Sequence, residues 1–172
     1  MEKGYVQVYT GNGKGKTTAM LGLALRAYGA GLKIYIGQFI KNMEYNEVKF
    51  INKYLPNIDF EQYGAGCIFA RDITYNDINS AKNGLSRVRE AVFSEKYDIV
   101  MLDEINIAIH YGLVSVEDIL DLINRKPPHV ELVLTGRNAA KEVIAAADLV
   151  SEVSAVKHYY EQGVLAREGV EK

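Results

Sequence analysis

A glycine-rich segment near the start of the chain has the residue types needed to bind a polyphosphate. It follows an alternating apolar run typical of a β-strand and leads into a helical pattern. Glycines allow a tight turn at a helix N-terminus, where backbone N–H groups and the helix dipole attract anions. This order predicts a P-loop, and the alternative is a glycine-rich turn without a ligand. The segment reads Thr10-Gly11-Asn12-Gly13-Lys14-Gly15-Lys16-Thr17-Thr18.

Two side chains of this segment have distinct expected roles. In a P-loop the lysine before the hydroxyl residues reaches the phosphates, and this task falls to Lys16. The next hydroxyl, that of Thr17, binds magnesium. The general motif has glycine where Thr10 stands, so the sequence is a variant of the pattern. The residues alone therefore predict a protein that binds magnesium and ATP.

Two acids, Asp103 and Glu104, end a second apolar run that begins at Tyr97. An apolar strand with an acidic end resembles the partner of a P-loop, which holds magnesium directly or through water. The alternative is that these acids end the strand only because they face water. The P-loop favours the metal role, and Glu104 is the expected direct ligand, chiefly because of the family resemblance described below.

Three further features bear on the site. Arg137 stands on a glycine-containing turn and is a candidate clamp on negative charge, although a solvated loop arginine fits nearly as well. Cys67 lies among small residues beside Phe69, which predicts a pocket wall rather than an activated nucleophile. Four tyrosines are expected either to pack at core edges or to line a flat ligand: Tyr75, Tyr111, Tyr159 and Tyr160.

The elements that must position these groups alternate between strands and helices along nearly the whole chain. The strand-like runs are too continuously apolar for one-sided exposure, which favours a mostly parallel sheet with helices on both faces. Right-handed crossovers would align the C-terminal strand ends along one edge, where such sheets bind ligands. The P-loop, the acidic pair and Arg137 all follow strand ends. The sequence predicts a P-loop NTPase-like (RecA-like) α/β fold.

The expected boundaries come from periodicity and capping residues. Thr74 and Ser115 each begin a capping-box pattern, and Asn138 is expected to cap a helix that runs to residue 147. Gly84 is a weak point in the long third helix, and residues 156–172 show no clear period. The predicted strands are residues 5–9, 33–39, 58–63, 97–104, 130–135 and 149–153, and the predicted helices are residues 19–27, 47–55, 74–96, 115–126 and 138–147.

Composition restricts the class of protein. The 172 residues suffice for one domain with a proper core, so we expect a single domain over residues 1–172. A formal net charge of −2 argues against a general affinity for nucleic acid. The single cysteine excludes an internal disulfide and fits a reducing compartment. With no signal-peptide pattern and no apolar run near the roughly 20 residues that cross a bilayer, a cytoplasmic protein without a membrane partner is expected.

The whole ordered set of motifs resembles the ATP:corrinoid adenosyltransferases of the CobA/BtuR type over most of the chain. The set is highly specific, and threonine in place of the first P-loop glycine also fits this family. Besides the P-loop, the matching segments are Gln38-Phe39-Ile40-Lys41, the Gly64-x-Gly66-x-x-aromatic loop, Leu102-Asp103-Glu104-Ile105-Asn106, Thr135-Gly136-Arg137, Ala147-Asp148-Leu149-Val150-Ser151-Glu152, and Lys157-His158 with Gly163 and Gly169-Val170-Glu171.

The resemblance implies a reaction at the 5′ carbon of ATP. The Co(I) centre of a reduced corrinoid attacks this carbon and displaces the whole triphosphate, forming a cobalt–carbon bond. Relatives bind ATP in reverse along the P-loop, which exposes the 5′ carbon. Carried onto this chain, residues 12–18 would cradle the triphosphate with Lys16 as the main cation. Thr17 and Glu104 would hold Mg²⁺, and Arg137 would help to neutralise the leaving group.

On the corrinoid side, this chain differs from the family pattern. Relatives use aromatic side chains of the loop that is here residues 64–69 to exclude the lower axial ligand of cobalt. Phe69 stands where the family often has tryptophan, and Cys67 stands where it often has phenylalanine. Cys67 and Phe69 are therefore expected on the corrinoid face, where they form a smaller wedge.

The resemblance also implies partners. Relatives are commonly homodimers, and an electron donor such as a flavoprotein is expected to reduce the cobalt. Many relatives carry an N-terminal extension over the site, and here the cover is expected from residues 40–46, residues 64–74, the C-terminal tail or a partner subunit. Two other functions stay open. A small P-loop kinase or ATPase would produce ADP or ADP and phosphate, and a non-catalytic ATP-dependent corrinoid carrier would bind without turnover.

Overall fold

In the part of the chain that the computed structural model describes, residues 2–66, 68 and 71–171, six strands form one sheet. The strands are β1 (Val6–Thr10), β2 (Ile34–Phe39), β3 (Ile58–Tyr63), β4 (Ile99–Asp103), β5 (Glu131–Thr135) and β6 (Leu149–Glu152). Their order is β3-β2-β4-β5-β1-β6, and each neighbouring pair is parallel. The predicted parallel α/β fold is confirmed.

Helices cover both faces of this sheet. One face carries α1 (Lys16–Gly29) and α2 (Asn46–Tyr54), and the other carries α3 (Tyr75–Phe93), α4 (Ile105–His110), α5 (Val116–Arg125) and α6 (Lys141–Ala146). Successive residues of β4 alternate between the two cores: Ile99 and Met101 pack on the α1 side, and Val100 and Leu102 on the α3 side. This two-sided burial explains the continuously apolar strands. A short 3₁₀ helix, Tyr159–Gln162, follows β6.

Capping residues explain where two of the helices begin. The Thr74 hydroxyl accepts the backbone N–H of Asp77, and the Asp77 carboxylate accepts the backbone N–H of Thr74, which is the predicted capping box. Ser115 caps α5 with one half of the predicted box: its hydroxyl accepts the N–H of Asp118, and it donates to the Asp118 carboxylate. These local bonds satisfy N–H groups that have no partner inside the helix. Among the helices of the described ranges, none is both long and apolar enough to cross a bilayer.

Several predicted boundaries differ from the structure, including those of α1, which spans Lys16–Gly29 rather than residues 19–27. Asn138 does not cap α6, which begins at Lys141, and it instead adopts a left-handed conformation with φ of 58° in the turn after β5. Asparagine tolerates this conformation better than most residues. Helix α3 ends at Phe93 rather than at residue 96. Helix α4 was not predicted, because it is short and buried on nearly all sides and so lacks the one-sided apolar pattern that marks a helix in a sequence.

Gly84 allows α3 to lie directly against β3. A Cβ atom at this position would lie 2.4 Å from Cγ and 2.6 Å from Cβ of Tyr63. We therefore expect Gly84→Ala to lower the free energy of unfolding by about 1–3 kcal/mol, the usual effect of overpacking, despite the roughly 1 kcal/mol that alanine contributes in a helix. Urea unfolding measures this change.

Gly22 in α1 provides the matched control. No described atom outside its own helix lies within 4 Å of the position that a Cβ would occupy. Gly22→Ala should consequently stabilise the protein by up to about 1 kcal/mol. Stabilisation of both variants would contradict the close packing of α3 on Tyr63.

Candidate nucleotide-binding site

Close backbone contacts with the chain after β6 fix the shape of the P-loop, residues 11–15. The Gly13 N–H donates to the carbonyl oxygen of Val153 at 2.7 Å. A Cβ at Gly11 would lie 2.5 Å from that same oxygen, so only glycine fits there. Gly15 has space around it but a φ of 122°, a conformation that other residues rarely adopt. Gly11 is therefore required because the backbone of Val153 lies so close to it, and Gly15 is required because of its backbone conformation.

Thr10 has a structural role that explains its presence in place of glycine. It is buried, and its hydroxyl accepts the backbone N–H of Ala139 at 3.3 Å. Ala139 belongs to the loop between β5 and α6, which also carries Arg137. The hydroxyl thus joins the P-loop to the arginine loop, a contact that glycine cannot make.

Lys16 is held inside the loop that it follows. Its ammonium donates to the carbonyl oxygens of Gly11 at 2.7 Å and Gly13 at 2.8 Å, and only 8% of the residue is exposed. Burial lowers the pKa of Lys16, and the negative charge of Glu104 opposes this effect. These contacts place a cation at the base of the loop, as expected of a P-loop lysine.

Asp103 is the centre of a hydrogen-bond network at the C-terminal edge of the sheet. Its Oδ1 accepts the Thr17 hydroxyl at 2.9 Å and the Thr135 hydroxyl at 2.6 Å. Its Oδ2 accepts the side-chain amide of Gln38 at 2.8 Å. The Thr135 oxygen in turn accepts the backbone N–H of Glu104 at 3.0 Å. The fully buried carboxylate of Asp103 is therefore satisfied by three side-chain donors.

Glu104 differs from its neighbour because it faces the cavity. It has a left-handed backbone, with φ of 58°, and its carboxylate lies 3.4 Å from the ammonium of Lys41. Burial and the charge of Asp103 raise the pKa of Glu104, while Lys41 opposes this rise. Burial acts to lower the pKa of Lys41, but the charges of Asp103 and Glu104 outweigh it and raise that pKa. A half-buried ion pair thus stands at the mouth of the P-loop.

Arg137 lies at the same edge. It follows Gly136, which has a φ of 126°. Gly136 also packs closely on Asn106, since a Cβ at position 136 would lie 3.1 Å from the Cβ of Asn106. Arg137 is exposed, lines the cavity, and has no hydrogen-bond or ion-pair partner within the described ranges. Its guanidinium is available to an anionic ligand.

These groups surround one cavity of about 580 Å³. The volume is in the usual range for a site that binds a nucleotide-sized ligand. Besides the P-loop and the strand ends, the start of α2 and the C-terminal tail contribute to its walls. The lining residues are Gly13, Lys14, Gly15, Lys16, Thr17, Thr18, Leu21, Lys41, Asn46, Glu47, Glu104, Arg137, His158, Gly169, Val170 and Glu171.

Most residues proposed from the sequence come together here, and their binding roles stay predictions. Thr10 at the end of β1 and the loop residues Gly11 and Asn12 do not line the cavity. Cys67 and Phe69, the expected corrinoid face, lie outside the described residues. Of the four tyrosines, the ring of Tyr75 is largely exposed, whereas Tyr159 contacts the P-loop residue Lys14.

Sequence reasoning missed Lys41 as a member of the charged site. The family pattern includes segment 38–41, and residues 40–46 are a possible cover, but neither gives the lysine a chemical role. The available signal was the position of Lys41 just after β2, because β2 neighbours β4 and its C-terminal end lies at the same sheet edge. The C-terminal tail is one of the segments expected to cover the site, but the sequence does not indicate which P-loop residue it contacts.

The oxygen donors at this edge fit a hard divalent cation such as Mg²⁺. The Thr17 hydroxyl donates a hydrogen bond to Asp103, which leaves the lone pairs of the hydroxyl oxygen for a cation. The Glu104 carboxylate lines the cavity beside it, and its one ion-pair partner among the described residues is Lys41 at 3.4 Å, which leaves lone pairs for a cation. Magnesium commonly takes one or two protein carboxylates together with water and substrate phosphates.

The sheet order, the Gly-Lys-Thr loop and the neighbouring acidic strand end define the class as a P-loop protein of RecA-like fold. A solved structure supports this at the level of the fold: a KaiC-like protein from the hyperthermophilic archaeon Pyrococcus horikoshii OT3 has a TM-score of 0.59 at 16% identity, and the match covers 98% of this chain and 76% of that chain.

Sequence comparison defines the family. The family model for ATP:corrinoid adenosyltransferases BtuR/CobO/CobP matches residues 2–171, and the chain belongs to this family of enzymes. A corrinoid adenosyltransferase from a Sinorhizobium species is 36% identical, over 99% of this chain and 81% of the relative. The corrinoid adenosyltransferase of Escherichia coli K12 is 32% identical, over 99% of this chain and 86% of the relative. The corrinoid adenosyltransferase CobA of Salmonella typhimurium LT2 has the same identity and coverage.

Thr135 connects the two acids of the site, and its removal should be costly. Thr135→Val would leave the backbone N–H of Glu104 without its acceptor and Asp103 with one donor fewer. We expect the free energy of unfolding to fall by about 1–3 kcal/mol. Thr135→Ser keeps the hydroxyl and should lose much less. Urea unfolding of the two variants tests this, and a loss in Thr135→Val no larger than that in Thr135→Ser would contradict the role given to the hydroxyl.

Proposed function

We propose that this protein transfers the 5′-deoxyadenosyl group of ATP to the Co(I) centre of a corrinoid and releases inorganic triphosphate. Family membership supports corrinoid adenosylation, and the nucleotide details come from the resemblance described above. The observation that carries the proposal is the convergence of three cations, Lys16, Lys41 and Arg137, on one cavity beside Glu104. Such a site suits a ligand that carries several negative charges.

The chemistry requires little more from the protein than position and charge. The cobalt electron pair forms the cobalt–carbon bond at C5′ while the carbon–oxygen bond breaks, and that bond's electrons leave on the triphosphate oxygen. No proton must be removed from the nucleophile, so a catalytic base is not needed. The barrier depends on in-line alignment and on stabilisation of the charge that grows on the leaving group.

The named residues divide this task. The P-loop backbone and Lys16 would bind the triphosphate, and Arg137, which is exposed at the cavity, would approach its growing charge. Thr17 and Glu104 would hold Mg²⁺, which when bound supplies further neutralisation of the phosphates. Lys41 would balance Glu104 and adds positive charge to the cavity wall. ATP reversed along the loop would leave C5′ open to the corrinoid.

The corrinoid side of the proposal rests on the resemblance. Cys67 and Phe69 would contact the corrinoid and help to exclude its lower axial ligand, which makes reduction of Co(II) feasible. An electron donor such as a flavoprotein would supply the reducing equivalent, and a homodimer is the expected assembly. Each of these is a proposal independent of the cavity described above.

Lys16 should be essential for turnover. We expect Lys16→Ala to reduce adenosyl transfer by about a hundredfold or more, because it removes a preorganised cation from the leaving group. The anaerobic absorbance change of chemically reduced cobalamin with ATP and magnesium measures transfer. Lys82→Ala, on the exposed face of α3, is the control and should retain full activity. Full turnover by Lys16→Ala would remove the P-loop from the mechanism.

The products separate this function from its rivals. Phosphorus NMR of the reaction with reduced corrinoid should show inorganic triphosphate. ADP, with or without phosphate, and no triphosphate would instead identify a kinase or ATPase. Binding of ATP and corrinoid without any product under strong reductant would indicate a carrier.

A further inference from the structure

The C-terminal segment, residues 156–171, leaves the sheet after β6 and returns to the P-loop. The side-chain amide of Asn46 donates to the Glu168 carboxylate at 2.6 Å, which joins the segment to the start of α2. The segment is thus a wall of the nucleotide cavity that no P-loop motif includes. Its residues in that wall are His158, Gly169, Val170 and Glu171.

Lys14 of the P-loop holds this wall in place. Its ammonium donates to the Glu171 carboxylate at 2.7 Å, to the Val170 carbonyl oxygen at 3.1 Å and to the Tyr159 hydroxyl at 3.0 Å. An ammonium has three protons, so these contacts occupy its whole donor capacity. Lys14 was expected among the triphosphate ligands, but its side chain is directed to the C-terminal segment.

Glu171 is the acceptor at the centre of the same cluster. The Arg167 side chain donates to it at 3.2 Å and the Arg167 backbone N–H at 2.9 Å, and the Tyr159 hydroxyl also donates. Hydrogen bonds from Arg167 and then Lys14 hold the pKa of Glu171 well below its usual range, and the bond to Glu171 raises the pKa of Lys14. One carboxylate thus faces two cations, and the cluster stays net positive at neutral pH.

The geometry points to a latch: Lys14 and Glu171 are positioning residues that close the C-terminal segment against the bound nucleotide. In this arrangement the Lys14 side chain binds the C-terminal segment, and Lys16 and the loop backbone bind the phosphates. A net positive latch is compatible with a triphosphate beside it. A closed wall also excludes water, which strengthens the charge interactions within the site. The inference rests on the proposed function only in taking ATP as the ligand.

The rival arrangement is direct binding of phosphate by Lys14, with Glu171 as a competitor for the same ammonium. The two arrangements predict opposite effects when Glu171 is removed. If Glu171 closes the latch, its loss weakens ATP binding. If Glu171 competes with phosphate, its loss leaves ATP binding unchanged or makes it tighter.

A double-mutant cycle on the full chain separates the two, with the Kd for Mg-ATP measured by calorimetry in the absence of corrinoid. We expect Glu171→Ala and Lys14→Met each to raise this Kd by about tenfold, the scale of one lost charge-assisted contact. The double variant should lose no more than either single variant, because all three break one latch. Glu171→Gln, which keeps the size of the side chain, should show a smaller loss of the same sign.

Hydrogen exchange of residues 158–171 supplies the readout that a general structural defect would not reproduce. Both single variants should exchange faster in this segment alone, with the P-loop helix unchanged. Glu161→Gln is the control, since the Glu161 side chain lies in the same segment and has no polar partner within the described ranges.

Unchanged or tighter ATP binding by Glu171→Ala would overturn the latch, as would losses that multiply in the double variant. The cycle needs only ATP, so it reports on the latch even if adenosyl transfer fails. Conversely, transfer by the unaltered protein would leave the proposed function intact if the latch is rejected.

Discussion

The buried carboxylate of Asp103 is the constraint on which the site depends. Asp103 ends β4 and accepts hydrogen bonds from Thr17 in α1, Thr135 in β5 and Gln38 in β2. A buried charge is unfavourable unless its oxygens are satisfied, so burial of Asp103 favours the arrangement in which these donors from three other elements converge on it. The hydrogen bond from Thr17 to Asp103 orients the lone pairs of the Thr17 hydroxyl. The Thr135 hydroxyl also accepts the backbone N–H of Glu104, which fixes the backbone at that residue.

Ion pairs complete the cavity around this network. Lys41 faces Glu104 after β2, and Lys14 faces Glu171 at the opposite end of the chain. Each pair holds a charged group in position before any ligand arrives, which is how an enzyme avoids reorganising charge during a reaction. If the leaving group is triphosphate, as proposed, this preorganisation is the main contribution that the protein can make.

Local sequence signals predicted much of this arrangement. The bounds of β3 and the capping box at Thr74 follow from alternation and from short-range hydrogen bonds, and the P-loop follows from its glycines. The turn at Asn138 was misassigned, because asparagine suits both a helix cap and a left-handed turn.

Contacts between distant segments could not be predicted in the same way. Lys14 and Glu171 are 157 positions apart, and only the return of the tail to the P-loop reveals that they meet. The pairing of Lys41 with Glu104 likewise requires knowing that β2 lies beside β4. The family resemblance marked these residues as part of a pattern, but a pattern does not say what a side chain contacts.

The central claim is that the nucleotide reacts at its sugar carbon, and the fate of the bridging oxygen tests it most directly. ATP carrying ¹⁸O between C5′ and the first phosphorus would be converted anaerobically with reduced cobalamin. Cleavage of the carbon–oxygen bond predicts that all the label leaves with triphosphate, visible as an isotope shift in its phosphorus signal. Label retained on the nucleoside product would mean that a phosphorus–oxygen bond breaks, and would contradict the mechanism.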